Sequence, residues 1–308
     1  MPSALALVAT IASHAAAGGA AGHAYGTVPG WGSWSFSGLP EVLVIALLVA
    51  FSCAYVNVYR RAKSRSDAVG IGHWLPYSAG ILAVFLAICS PIDAIGDSWL
   101  LSVHMLQHVL LSDVAPALLV LGLRSPLLPL GLPKRALVAL SPKGSPLGKM
   151  LRIVTSPWVA VPLWALATWV WAIPSIFDYT AQHPLVHAFE HSTLFYTGLA
   201  LWWLIVDPLP RARLRPGGQR LALLGFSRLA SACVCVPLTW ITVSEYPLYA
   251  DAPRAFGLSA VADQRLAGAG MCFVEFLVFG IAFAVVFLNM LSRSEAQQTL
   301  AERAEQTV

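Results

Sequence analysis

Seven apolar runs of membrane length leave this chain few ways to fold. They fall at about Val42 to Tyr59, Trp74 to Ser90, Trp99 to Leu123, Trp158 to Ile173, Pro184 to Val206, Leu221 to Val243 and Gln264 to Leu291, the fourth being the shortest. A bilayer core is crossed by roughly 20 apolar residues as a helix, because no water is present there to satisfy an open backbone. Composition agrees: 57% of residues are hydrophobic and 11% charged, with a mean hydropathy of +0.70, against roughly 25% charged in soluble domains. The expectation is an all-α, polytopic membrane bundle of about seven transmembrane helices spanning residues 39–292. Before it, residues 1–38 resemble an export signal or a flexible Ala and Gly tail, and residues 293–308 form a cytoplasmic tail.

Loop charge orients the bundle, since Lys and Arg beside membrane segments are retained in the cytoplasm. Arg60, Arg61, Lys63 and Arg65 follow the first run; Arg124, Lys134, Arg135, Lys143, Lys149 and Arg152 follow the third; Arg211, Arg213, Arg215 and Arg220 follow the fifth. The alternate loops carry Asp93, Asp97, Asp178, Glu245, Asp251 and Asp263, with Arg254 and Arg265 against them. The N-terminus is therefore expected outside and the C-terminus inside. A net charge of +4 reflects this bias and gives no reason to expect nucleic acid as a partner.

Within this frame the histidines stand out. Five of the eight lie at four-residue spacing at the starts of the third and fifth spans: His104 and His108 in HMLQHVLL, and His183, His187 and His191 in HPLVHAFEH. A four-residue step turns a helix by about 400°, so each group keeps to one side. Both spans begin at the same leaflet, and so does the seventh, with Asp263 and Gln264 at its mouth and Met271 and Glu275 deeper. A lone interfacial histidine is usually an anchor or a packing residue. Two groups on one leaflet point instead to ligation of a metal or haem, because clustered ionisable groups in a bilayer are costly.

Imidazole suits copper, zinc and iron alike, and thioether or thiolate ligands would tilt the choice toward Cu(I). Met271 has the depth to contribute, whereas Met105 is turned about 100° from each neighbouring histidine. Glu190, beside His191, is placed to orient an imidazole or join the ligands. Asp113 is turned about 140° from His108 and wants another partner, Arg228 in the sixth span being one. The five cysteines do not read as a disulfide framework, and Cys233 and Cys235 read as packing. Three other functions fit parts of this pattern. A b-type cytochrome would use opposed histidines of the third and fifth spans. An intramembrane zinc hydrolase would use Glu190, Asp113 or Glu275 as base. A copper transporter would need a ladder of ligands, for which Cys233, Cys235 and Met290 are sparse. The Pro-rich third inner loop is expected to hold a broken amphipathic helix on the inner leaflet. No phosphate loop, nucleophile elbow or internal repeat is present.

HMLQH followed by DVAPALLVLG, then FDYTAQHPLVHAFEHSTLFYTGLALWW and ADQRLAGAGM, together resemble the CtaG family of bacterial cytochrome c oxidase assembly factors. The resemblance extends over about residues 40 to 290. It implies a non-enzymatic role in maturing a haem-copper oxidase, with oxidase subunits as partners and copper handled at the outer face. It implies His104, His108, His183, His187 and His191 as ligands, with Asp263 and Gln264 as further candidates.

Overall fold

The computed structural model describes residues 28–305 apart from 31, 35, 37, 38, 142, 143, 210–216 and 255. The readings made for residues 1–27, including the export signal, and for Lys143, Arg211, Arg213 and Arg215 lie outside the described residues.

All regular structure among the described residues is helical. Five helices are long and apolar enough to cross a membrane: α1 (Leu39–Lys63), α2 (Ile71–Cys89), α4 (Leu101–Gly122), α11 (Gly217–Trp240) and α13 (Ala260–Glu305). Between α2 and α4 lies the short α3 (Pro91–Ser98), started by Pro91 and by Ser90, whose hydroxyl accepts from the Ile92 N–H. A sixth crossing is available if α7 (Pro146–Val154) and α8 (Pro157–Trp171), bent by 62° at their junction, make one broken span. The bend falls where Ser156 precedes Pro157, since a residue before proline is pushed out of helical conformation. The remaining long helix is α10 (Pro184–Val206), with 23 residues. It has the length of a span, about 34 Å, but His187, Glu190 and His191 make its first half polar. The fold is thus a polytopic all-α bundle with five or six clearly apolar crossings.

Prolines cut the segment between α4 and α8 into short pieces: α5 (Leu127–Gly131), α6 (Lys134–Leu140) and α7 follow or begin at Pro126, Pro133 and Pro146. On α7 the exposed Leu147, Met150 and Ile153 recur every third residue, with Lys149 and Arg152 between them. At the other end of the bundle the linkers hold α9 (Pro174–Ala181) and α12 (Pro247–Ala250). Helix α13 runs unbroken for 46 residues, about 69 Å, more than twice a hydrocarbon core of about 30 Å, so its last turns project beyond the bilayer.

Side chains pack in three apolar groups. Trp164, Leu201, Trp202 and Phe279 join α8, α10 and α13. Tyr55, Tyr77, Leu111 and Leu119 join α1, α2 and α4. Leu101, Met105, Phe177, Tyr249 and Met271 form a floor near the starts of α4 and α13. Helices α4 and α10 meet at backbone distance, for a Cβ on Gly198 would come within 2.0 Å of the Ser112 carbonyl oxygen. That carbonyl sits in a π-helical turn, Leu110–Val114. Pro116, four residues on, has no N–H to offer it.

A correction concerns the cysteines. Cys235, read from sequence as a packing residue, forms a disulfide with Cys272 between α11 and α13, with Cα atoms 5.5 Å apart. Their separation of 37 residues hides a contact that only the pairing of the two helices creates.

Candidate metal centre

The site forms where the first turns of α4 and α10 meet and α3 lies across them. Gly96 makes this approach possible, since a Cβ there would stand 3.0 Å from the His104 Cα. The Gly96 carbonyl lies 3.2 Å from His104 Nδ1 and accepts a 2.5 Å hydrogen bond from the Tyr249 hydroxyl. Burial, reinforced by nearby carboxylates, raises the Tyr249 phenol well above its ordinary pKa, so it remains a donor. A carbonyl only accepts, so the proton of His104 is assigned to Nδ1 and its Nε2 keeps a lone pair. That Nε2 faces the Nε2 of His108 at 2.9 Å.

Asp97 plays the corresponding part for His187, its Oδ1 standing 3.6 Å from His187 Nδ1. A carboxylate there favours the proton on Nδ1 and leaves Nε2 turned inward. The ring centroids of His187 and His191 are 4.2 Å apart, those of His104 and His187 5.3 Å, and those of His108 and His191 5.4 Å. Glu190 is completely buried and brings Oε1 to 3.4 Å from His108 Nε2. One ligand atom each from His104, His187, Glu190 and His191 lies within 4.8 Å of the others.

The donors are also unspent. His187 Nε2, His191 Nε2 and both Glu190 oxygens are buried without a hydrogen bond. Burying that many lone pairs unpaired is costly, and a cation between them removes the cost. Three imidazoles and a carboxylate, with His108 alongside, make a nitrogen and oxygen donor set that fits a divalent transition metal.

The other candidate residues are placed differently. His183 is exposed and caps α10 with φ −130° and ψ 95°. Its ring stacks on Tyr179 at 4.0 Å, and its Nδ1 lies 2.8 Å from the Tyr179 carbonyl. Pro184 explains this, because the residue before proline leaves the helix and its side chain leaves the helical face. Asp263 is buried and accepts from the Leu101 N–H at 2.7 Å, the Ser102 N–H at 3.2 Å and the Ser102 hydroxyl at 2.5 Å. It therefore caps α4 from α13, one turn before His104. Gln264 spends its amide on backbone, accepting from the Glu245 N–H at 2.8 Å and donating to the Val243 carbonyl at 3.0 Å. Met271 and Met105 pack in the apolar floor.

Gly96, Asp97 and Tyr249 were not singled out from sequence, and neither was Gln107. Its amide donates to Asp93 Oδ1 at 2.6 Å and to the Ala87 carbonyl at 2.8 Å, tying α4 to α2 and α3. Burial pushes the Asp93 carboxyl up to about 7, with the charges of Asp97 and Glu41 adding to the effect and the Gln107 bond opposing it.

Fold and site together define a multi-pass helical membrane protein with a buried His and Glu cluster able to coordinate a metal ion. The sequence profile of the family described as cytochrome c oxidase caa3 assembly factor (Caa3_CtaG) matches residues 53–293. The chain belongs to that family, and is a multi-pass protein of the bacterial inner membrane. It is also similar to uncharacterized proteins of Mycobacterium bovis and Mycobacterium tuberculosis, each 24% identical over 250 residues. Those matches take in 76% of this chain, which spans only 36% of the length of these curated relatives. No solved structure matches the chain.

Proposed function

We propose that this protein receives copper at the outer face of the membrane and supports assembly of a haem-copper cytochrome c oxidase, without itself catalysing a reaction. The observation that carries the reading is the cluster of oriented donors His104, His187, Glu190 and His191, the last three with unspent atoms, and with His108 in contact. Among divalent first-row ions Cu²⁺ binds such nitrogen and oxygen sites most strongly, with zinc next to it in the order. The family description, an assembly factor for caa3 oxidase, favours copper as cargo and oxidase subunits as partners. A carboxylate among the imidazoles is a donor mixture that suits a small ion better than the paired axial histidines of a haem.

Seven crossings follow if α10 and the bent α7–α8 pair are counted with the five apolar helices. They form one transmembrane domain over residues 39–292, and residues 293–308 are its cytoplasmic tail. Arg60, Arg61, Lys63 and Arg65 stand at one end of this bundle with Arg124, Lys134, Arg135, Lys149 and Arg152. Asp93, Asp97, Asp178 and Asp263 stand at the other with the cluster. The basic end faces the cytoplasm, which puts the metal cluster where an oxidase copper centre is loaded. Asp263 and Gln264 support the site by fixing α4 and the segment after α11, and His183 and Met271 lie outside the ligand set.

The test is oxidase activity in membranes of a strain lacking this protein, complemented with wild type or with His187→Ala at matched protein level. Restoration by wild type and a severalfold deficit with His187→Ala are expected. Equal restoration by both would remove the cluster from the function.

A further inference from the structure

A second polar cluster lies deeper in the bundle and takes no part in the metal centre. Asp113, in the π-helical turn of α4, is five residues beyond His108, roughly 7.5 Å further along the axis. Around it stand Glu275 of α13, Arg228 and Ser231 of α11, and Ser112, with Trp164 of α8 bordering the Asp113 carboxyl. Asp113, Glu275, Ser231 and Ser227 are all at least 98% buried.

The hydrogen bonds divide the two carboxyls into unlike states. Glu275 accepts from the Ser231 hydroxyl and stands 3.6 Å from Arg228 Nη1. It has the surroundings of a carboxylate. Asp113 accepts a 2.6 Å hydrogen bond from Ser112 Oγ on one oxygen. Its other oxygen and the Trp164 indole N–H stand near one another without closing to a hydrogen bond of normal geometry. Ser227, one turn from Ser231 on the same buried face of α11, also has an unspent hydroxyl. The charged groups facing Asp113 are Glu275 and Arg228. With both carboxyls ionised, two negative charges would meet one guanidinium, leaving one charge uncompensated inside the bilayer. A single proton on Asp113 makes the group neutral.

We propose that Asp113, backed by Glu275, Arg228 and Ser231, is a proton-binding site within the membrane, holding one proton in the metal-free protein and releasing it to solvent when a cation enters the histidine cluster. Both sites lie on α4, so a positive charge at His104 and His108 acts across about one and a half to two and a half helical turns on the proton at Asp113. The released H⁺ offsets one unit of the charge that the cation brings. The release rests on the metal reading of the cluster, whereas the resting proton does not.

Infrared spectroscopy of the purified full-length protein in lipid nanodiscs at neutral pH separates the two statements. A protonated-carboxyl C=O band that shifts in D₂O is expected in wild type and in His187→Ala. It should be absent from the corresponding position in Asp113→Asn and retained, displaced, in Asp113→Glu, which controls for misfolding. A wild-type spectrum without the band, or an undiminished band in Asp113→Asn, would overturn the proton site. On addition of Cu²⁺, wild type should lose the band as copper binds, and His187→Ala should keep it. A band that persists while wild type binds copper would overturn the linkage. If wild type binds no copper, the metal reading and the linkage fall together and the resting proton stands on its own spectrum.

Discussion

Replacing Asp263 tests how the metal cluster is held in place. Its carboxylate bridges from α13 to the start of α4 and accepts two backbone N–H groups and a hydroxyl. Hydrogen bonds to a charged acceptor contribute about 1.5–3 kcal/mol each, and loss of a helix N-cap costs about 0.5–2 kcal/mol. These terms overlap, so Asp263→Ala should cost about 3–5 kcal/mol, concentrated in the first turn of α4. At 1.4 kcal/mol per factor of ten, local opening there becomes roughly 100 to 4,000 times more frequent. Asp263→Asn, which keeps one carbonyl acceptor, should show about half the effect. The assay is amide hydrogen exchange in detergent, comparing peptides over residues 101–105 with peptides from α2. Unchanged exchange at the start of α4 in a folded Asp263→Ala protein would refute the capping role. Because His104 sits one turn beyond the cap, metal affinity should fall in the same variant.

Other substitutions probe separate parts of the account. Gly198→Ala puts a Cβ against the Ser112 carbonyl and should destabilise the bundle by about 2–3 kcal/mol in denaturant titration, whereas Gly225→Ala, with open space at its Cβ, should not destabilise it. Equal stability of the two variants would contradict the close crossing of α4 and α10. For Asp93, a folded pKa raised to about 7 means that the folded state binds the extra proton, so its contribution is present at low pH and declines as pH rises from about 4 to about 7. Asp93→Asn should flatten that part of the stability profile, and an unaltered slope would exclude Asp93 as its source. His183→Ala should leave bound metal unchanged while His187→Ala reduces it; equal losses would place His183 among the ligands after all.

Much of the bundle was legible because apolar length is a local property. Helices α1, α2, α4 and α11 coincide closely with the apolar runs, α13 contains the last of them and continues to Glu305, and the break before α8 is visible as Pro157. Four of the five histidines converge because α4 and α10 begin at the same end. The fifth, His183, stands apart for a local reason: the four-residue spacing runs through Pro184, and proline ends the helical face at the residue before it. The pieces that orient the rings could not be read. Gly96 and Asp97 sit in a linker, and what they touch depends on how α3 lies across α4. Asp263 and Gln264, candidates in the sequence, have oxygens occupied by backbone N–H groups. The suggested pairing of Asp113 with Arg228 found the right neighbourhood, while Glu275 takes the closer contact, 3.6 Å from the guanidinium.

The central claim is that His104, His187, Glu190 and His191 hold a metal ion. Elemental analysis together with an optical spectrum on detergent-purified protein tests it directly, with wild type beside His187→Ala, Glu190→Gln and His183→Ala. The account predicts copper in wild type and His183→Ala, a marked loss in the other two, and no Soret band. Equal metal content in all four proteins, or none in wild type after exposure to copper, would contradict it.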